Sequence, residues 1–481
     1  MEWVLVHVIA APVLGSPVAL ALGGRWRGRG GWFTVLPLAY STALLLTALA
    51  TGHWRLEAVY PWVPSLGPLR LVLDALNLPV LLTVLLLCTV VAAYSVRYME
   101  GERGLGLYHA LYLLYSAGMV GTVLSANLAL FFVFFEMMIV PSWALIAMWG
   151  TGNREVIALK YFVFTEAGAL SLLAGMLLLY SSLGTMDLPA LAAGAGALPR
   201  TVALAAAVAM MVGLFVKMAV FPLHTWLPDA HAEAPTPISA LLSPAMIGIG
   251  GYAVARIVGT IFPWVLAGAL SFHLLVLALV TMVYGGLMAL AQDDFKRLLA
   301  YSSISQMGYM LMGLSSPSHA GLLGALLLYV SHGLSKAALF MVSGIFMRRL
   351  GTRRVSDIRG LATSMPWTAV TALLGFLGLA GVPPLLGFWA KLFVFAGALY
   401  AALTPLDALR LATVLVAIVS SIVTAAYGLW TVKRVFYGEA SEPVLRVRGD
   451  SWDLLAPALF LVAVSVVLGV YPTALTLPSA P

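Results

Sequence analysis

Apolar runs of about twenty residues, each closed by a short polar stretch, repeat from one end of the chain to the other. A run of that length as a helix matches the thickness of a bilayer's hydrocarbon core. The pattern predicts an all-α polytopic membrane protein with about fourteen spans, near 3–22, 32–50, 74–95, 106–125, 128–149, 157–181, 201–231, 238–257, 264–290, 298–315, 321–347, 366–400, 407–431 and 453–473. The first run is apolar at once and full length, so it reads as a retained helix and not as a cleaved signal. Between the fourth and fifth runs the only punctuation is Ser125-Ala126-Asn127.

Two spans are interrupted. Phe221-Pro222 breaks the seventh, and Gly381-Val382-Pro383-Pro384 breaks the twelfth, because proline has no N–H and clashes with the preceding helical turn. Spans four to eight and nine to thirteen then form two groups of five, and in each group the fourth span is the broken one. Five crossings put the start of the second group on the opposite face from the first. Two units of opposite topology with matching broken helices are the mark of an inverted repeat of the kind found in transporters. The expected organisation is three N-terminal helices (1–105), a first repeat (106–257, broken helix 201–231), a second repeat (258–431, broken helix 366–400) and a C-terminal loop with a last helix (432–481).

Composition narrows the function. Of the 481 residues 62% are hydrophobic and 9% charged, with a mean hydropathy of +1.00, where a soluble domain carries roughly 25% charged residues. The single cysteine, Cys88, excludes an internal disulfide and a Cys-ligated iron–sulfur or zinc site, which need several thiolates. There is no P-loop, and Gly248-Ile249-Gly250-Gly251 lies inside an apolar span, so it reads as close helix packing. The chain has no visible means to hold a redox or nucleotide cofactor. The net charge of +7 is not a nucleic-acid signal, because it is distributed by loop. Lys217, Lys336 and Lys391 lie within spans; of the other lysines and arginines, eighteen fall in odd-numbered loops and five in even ones. By the positive-inside rule odd loops are cytoplasmic and both termini lie outside.

Ionisable groups inside the spans are few, and each is costly there unless it has a task. Glu136 sits in FFVFFEMMIVPSW, Lys217 just before the first break, Lys391 just after the second, and Glu166 in the sixth span. His332 and Lys336 are four residues apart, so they share a helix face. One reading is a chain of proton-exchanging groups. A unit-charge pair at about 4 Å is worth roughly 4 kcal/mol at an effective dielectric of 20, enough to load or unload a proton as Glu136 and Lys217 change distance. The other reading is static: an ion pair for Glu136 and Lys217, a snorkelling Lys391, polar contacts between spans for His332, Lys336 and Glu166. After the first break come His224, Asp229, His231 and Glu233, either a site of proton uptake or a hydrogen-bonded loop. The prolines between His224 and His231 offer no fixed ligand geometry, so no metal is expected. His7, His109 and His273 read as packing residues.

Four blocks carry a family resemblance: FFVFFEMMIVPSWALIAMWG (131–150), VKMAVFPLHTWLPDAHAEAPTPISALLS (216–243), QDDFKRLLAYSSISQMGYM (292–310) and SHGLSKAALFMVSGI (331–345). From about Asp74 to Phe436 the chain resembles the antiporter-like subunits of respiratory complex I. FEMMIVPSW followed by WG is similar to the M subunit of bacterial and archaeal NADH–quinone oxidoreductases, the counterpart of mitochondrial NADH dehydrogenase subunit 4. The given sequence runs only a few residues past the fourteenth span, so the long lateral helix of the L subunit is not expected. The resemblance implies a proton-translocating, non-redox subunit in the cell's inner or plasma membrane. It implies neighbouring antiporter-like chains and a peripheral arm holding the flavin and iron–sulfur clusters. Glu136 matches the family's essential carboxylate, Lys217 its lysine partner, His332 the histidine of the eleventh helix, and Lys391 the terminal site of the twelfth.

Three departures qualify the match. The M subunit usually has glutamate where this chain has Lys391. It usually has a lysine on the eighth helix where this chain has Gly248. Lys336, on the eleventh helix, supplies a cation instead and is expected to replace it. Related chains serve multisubunit Na+/H+ antiporters, F420H2 dehydrogenases and membrane-bound hydrogenases, and these remain alternatives.

Overall fold

The computed structural model describes residues 1–24 and 30–474; Arg25, Arg27 and Arg29, counted above in the first loop, lie outside the described residues. Thirteen helices among those residues are long and apolar enough to cross a membrane. In chain order the helices used below are α1 (Trp3–Leu22), α2 (Trp32–Ala50), α3 (Leu78–Tyr98), α4 (Leu105–Leu124), α5 (Leu128–Trp149), α6 (Arg154–Leu183), α7 (Arg200–Met218), α8 (Leu227–Glu233) and α9 (Thr236–Ile261). There follow α10 (Ser271–Leu290), α11 (Phe295–Leu314), α12 (His319–Leu350), α13 (Pro366–Ala380), α14 (Leu386–Leu403), α15 (Ala408–Phe436) and α16 (Trp452–Val470). The polytopic helical architecture is as expected. The tenth expected span, α11, is a twenty-residue helix too polar to join the thirteen, with Ser302, Ser303, Ser305 and Gln306 along it, all buried.

The thin punctuation after the fourth span is a real boundary. Asn127 is extended, and its side-chain oxygen accepts from the N–H groups of Ala129 and Leu130, satisfying two donors that the start of α5 leaves without helical partners. One element departs from the all-helical pattern. Between α2 and α3, β1 (Leu56–Tyr60) and β2 (Leu69–Leu73) form an antiparallel hairpin with Leu56 opposite Leu73. Its residues are too few and too alternating in burial to register as a span.

The residues fall into two compact units. The first holds 1–218 and 245–270, the second 219–244 and 271–481. In the first unit α9 packs on α7 at a glycine: a Cβ on Gly250 would meet Met218 Cγ at 2.7 Å and the Leu214 carbonyl at 2.9 Å. This is the close helix approach read from the glycine run. The same unit is fastened by Arg256 of α9. Its guanidinium donates to both oxygens of Asp74, at 2.6 and 2.7 Å, and to the Tyr252 hydroxyl at 3.0 Å. In the second unit the interhelical loops interlock through charge: Asp229 pairs with Arg297, and Arg353 bridges Asp294 and Glu233.

Candidate functional site

α7 ends at Met218, and α8 does not begin until Leu227, so the helix breaks where Phe221-Pro222 required it. Ala219, just past α7, has φ +54°, a conformation that costs a residue with a side chain about 1–2 kcal/mol. Exposed backbone is expensive away from water. Here the Phe221 N–H donates to the Thr281 hydroxyl at 3.2 Å, while Leu223 and Leu227 donate to the carbonyls of Val220 and His224.

Lys217 lies in the last turn of α7, where the partial negative charge of a helix C-terminus favours a cation. It is 1% exposed. Its Nζ has no hydrogen-bond partner among the described residues and rests 4.9 Å from the centre of the Phe135 ring. Glu136 on α5 and Glu166 on α6 interact with each other, and both act on Lys217. One oxygen of each carboxyl is also buried without a partner. An ammonium needs three acceptors to be satisfied. Two carboxyl groups and one lysine here make few fixed hydrogen bonds among the described residues, in contrast to the bidentate Arg256–Asp74 pair.

The second unit holds two further sites. At the second break α13 ends at Ala380, and Gly381 takes φ +84°, a conformation glycine adopts freely. The freed Ala380 carbonyl accepts from Lys391 Nζ at 3.3 Å. That ammonium lies 4.2 Å from the centre of the Tyr309 ring, and Tyr309 hydrogen-bonds Thr424 at 3.0 Å. Lys391 is 5% exposed, so it is enclosed and does not snorkel. Between these elements lies a cluster. Lys336, fully buried, donates to the Leu299 carbonyl at 2.6 Å and to Ser302. His332 and His231 are buried, and among the described residues none of their four ring nitrogens has a hydrogen-bond partner. His231 stacks on Phe340 at 4.8 Å and interacts with Lys336, His332 and Lys296.

His224 packs against Phe221 and Tyr284, while His231 stacks on Phe340. Lys296 is not a loop charge. It is fully buried, and its Nζ donates to the Ala234 carbonyl at 2.5 Å. It passed for a loop residue because Asp293, Asp294 and Arg297 flank it, yet Lys296, Leu299 and Ser303 follow helical spacing and are all buried, and that periodicity was its signal. Asp229 and Glu233 are held by arginines. Among the described residues no three His, Cys, Asp or Glu side chains gather as a metal ligand set.

The family model described as "NADH:quinone oxidoreductase/Mrp antiporter, TM" matches residues 125–421, which include every lysine and carboxylate of these sites. The chain belongs to this family of antiporter-like subunits. A second model, "NADH-Ubiquinone oxidoreductase (complex I), chain 5 N-terminus", matches residues 62–109. The antiporter-like chain is 36% identical over 430 residues to NAD(P)H-quinone oxidoreductase chain 4 1 of Synechococcus sp. (strain JA-3-3Ab), covering 87% of this chain and 79% of the relative. Among solved structures it is similar to a chain of respiratory complex I from Thermus thermophilus with bound NADH (TM-score 0.87, 28% identity, 98% of this chain and 96% of the other). It is as similar to a chain of the Mrp complex from Dietzia sp. DQ12-45-1b (TM-score 0.87, 26% identity, 99% and 96%).

Proposed function

We propose that this chain is the proton-translocating M-type membrane subunit of a complex I-type NADH–quinone oxidoreductase. The carrying observation is the buried Lys217 ammonium, with no hydrogen-bond partner among the described residues, beside Glu136 and Glu166 in a member of the antiporter-like family. Electron transfer belongs to partner subunits that carry flavin and iron–sulfur clusters. Neighbouring antiporter-like chains and a peripheral redox arm are its partners, and the bilayer is its solvent. Conformational or charge changes in those neighbours alter the Glu136–Lys217 interaction and make Lys217 take up or release a proton. Protons then pass by way of Lys336 and His332 and leave outside from Lys391. Lys336 stands in for the lysine that Gly248 replaces. The two broken helices are equivalent members of inverted repeats, and the lysine and arginine bias of the loops supports both termini lying outside the plasma membrane.

A second reading has a specific support: the Mrp chain superposes as well as the complex I chain. On that reading the subunit serves a cation/proton antiporter driven by an ion gradient. Co-purification separates the two. The tagged chain is extracted from native membranes in mild detergent, its partners are identified by mass spectrometry, and donors to quinone are assayed. Flavin and iron–sulfur subunits with NADH activity support the proposal. The same clusters without NADH activity point to F420H2 or hydrogen as donor. Small membrane chains with no redox protein move the antiporter reading to first place.

A further inference from the structure

Lys296 is the buried lysine that neither the sequence reading nor the proposed route uses. It occupies the first turn of α11, where the helix dipole opposes a cation. Asp294 caps this turn through the backbone N–H groups of Lys296 and Arg297, so its capping oxygen is committed to the backbone. Among the described residues the Lys296 ammonium has one hydrogen-bond acceptor, the carbonyl of Ala234 at 2.5 Å, where a charged ammonium needs three. It interacts with His231, which also interacts with Lys336 and His332. Three further charges act on it: Arg353, Asp294 and Glu233. Asp294 and Glu233 reach solvent, with 20% and 16% of their side chains exposed. Arg353 lies between them, 2.5 Å from Asp294 and 3.6 Å from Glu233, and also donates to the Ala232 carbonyl. The groups therefore form a graded series within the second unit: wet carboxylates, an arginine, a dry lysine, then a dry histidine pair with Lys336.

We propose that Lys296 is a proton-carrying side chain that delivers protons from the Glu233–Asp294 surface to the His231–His332–Lys336 cluster, with Arg353 as the positioning residue that holds the two carboxylates at its mouth. The proton taken from water passes to a carboxylate, then to the neutral Lys296 amine, then to His231. Each acceptor is regenerated as it hands the proton on, so charge balances over the cycle. Arg353 cannot carry the proton, because its guanidinium does not release one in proteins. Its contribution is to hold the two carboxylates in place. This inference rests on the proton-translocation reading.

The test uses the assembled complex in proteoliposomes, measuring proton uptake per electron pair together with donor oxidation. Lys296→Arg keeps charge and length but cannot release a proton. Lys296→Met keeps length and removes the exchangeable proton. Both are expected to lower proton yield by the share that this chain contributes while the complex assembles, and Lys296→His is expected to restore part of the yield with a profile shifted to lower pH. Arg353→Gln is expected to shift the pH profile of pumping. Wild-type yield in Lys296→Arg or Lys296→Met overturns the proposal. Failure of both to assemble also overturns it, by assigning Lys296 to the scaffold. If Lys217→Met pumps normally, the functional reading itself has failed; if Lys217→Met is impaired and the Lys296 variants are not, only this inference falls.

Discussion

The ammonium of Lys217 rests 4.9 Å from the centre of the Phe135 ring, on the residue next to Glu136 in the chain. The aromatic face gives the cation a partner that supplies no proton acceptor, so under the proposed function exchange falls to Glu136 and Glu166. Such a contact is worth about 0.5–2 kcal/mol. Phe135→Leu should preserve most of the packing and remove the ring. It is expected to slow proton translocation several-fold without preventing assembly, as read by pumping rate against the amount of complex on native gels. Glu136→Gln should have the larger effect, because it removes an exchangeable group.

The second break places an analogous demand on backbone. Gly381 has φ +84°, and a Cβ there would stand 3.0 Å from Lys391 Cδ and 3.2 Å from the Gly387 carbonyl. Gly381→Ala should cost about 1–2 kcal/mol in backbone strain alone and displace the lysine. The expected outcome is a lower thermal midpoint in detergent together with reduced pumping.

Arg256 and Asp74 illustrate a buried pair with a structural task. Removing one partner of a buried pair leaves the other uncompensated. With 24% of the Asp74 side chain exposed, Asp74→Ala should cost up to about 3 kcal/mol, the lower end for such pairs. Asp74→Leu with Arg256→Leu should be less harmful than either alone. Thermal unfolding of the three variants checks this, and a double variant worse than both singles would contradict it.

How far these sites could be read from sequence depends on what flanked them. Glu136, Lys217 and Lys391 stand alone in apolar surroundings, so cost alone marked them. The helix breaks followed from Pro222 and Pro383-Pro384, because proline chemistry is local. Lys296 was hidden by its charged neighbours: composition marks a loop there, and only the orientation of its helix turns the side chain inward. His224 and His231 looked like one motif because they are close in sequence, but the chain after the break carries them into different surroundings. The pairing of Glu233 with Arg353 depends on residues far apart in sequence, which no local pattern encodes.

A pH effect is expected in the loop between α10 and α11. Burial alone would raise the Asp293 carboxyl, but the Ser356 hydroxyl and N–H and the Arg434 guanidinium together hold it below its ordinary range. A carboxyl lowered on folding stabilises the fold above its unfolded pKa, about 3.9, and that contribution is lost as pH falls through the folded value. The thermal midpoint of the wild type should therefore fall more steeply below about pH 4 than that of Asp293→Asn. Parallel curves for the two would contradict the assignment.

The central claim is that Lys217 loads and unloads a proton during turnover. The most direct test is the proton-to-electron yield of the Lys217→Met complex in proteoliposomes, normalised to assembled complex. Normal assembly is expected, with a yield below wild type by the share that this chain contributes. A fully assembled Lys217→Met complex that pumps at the wild-type yield would contradict it.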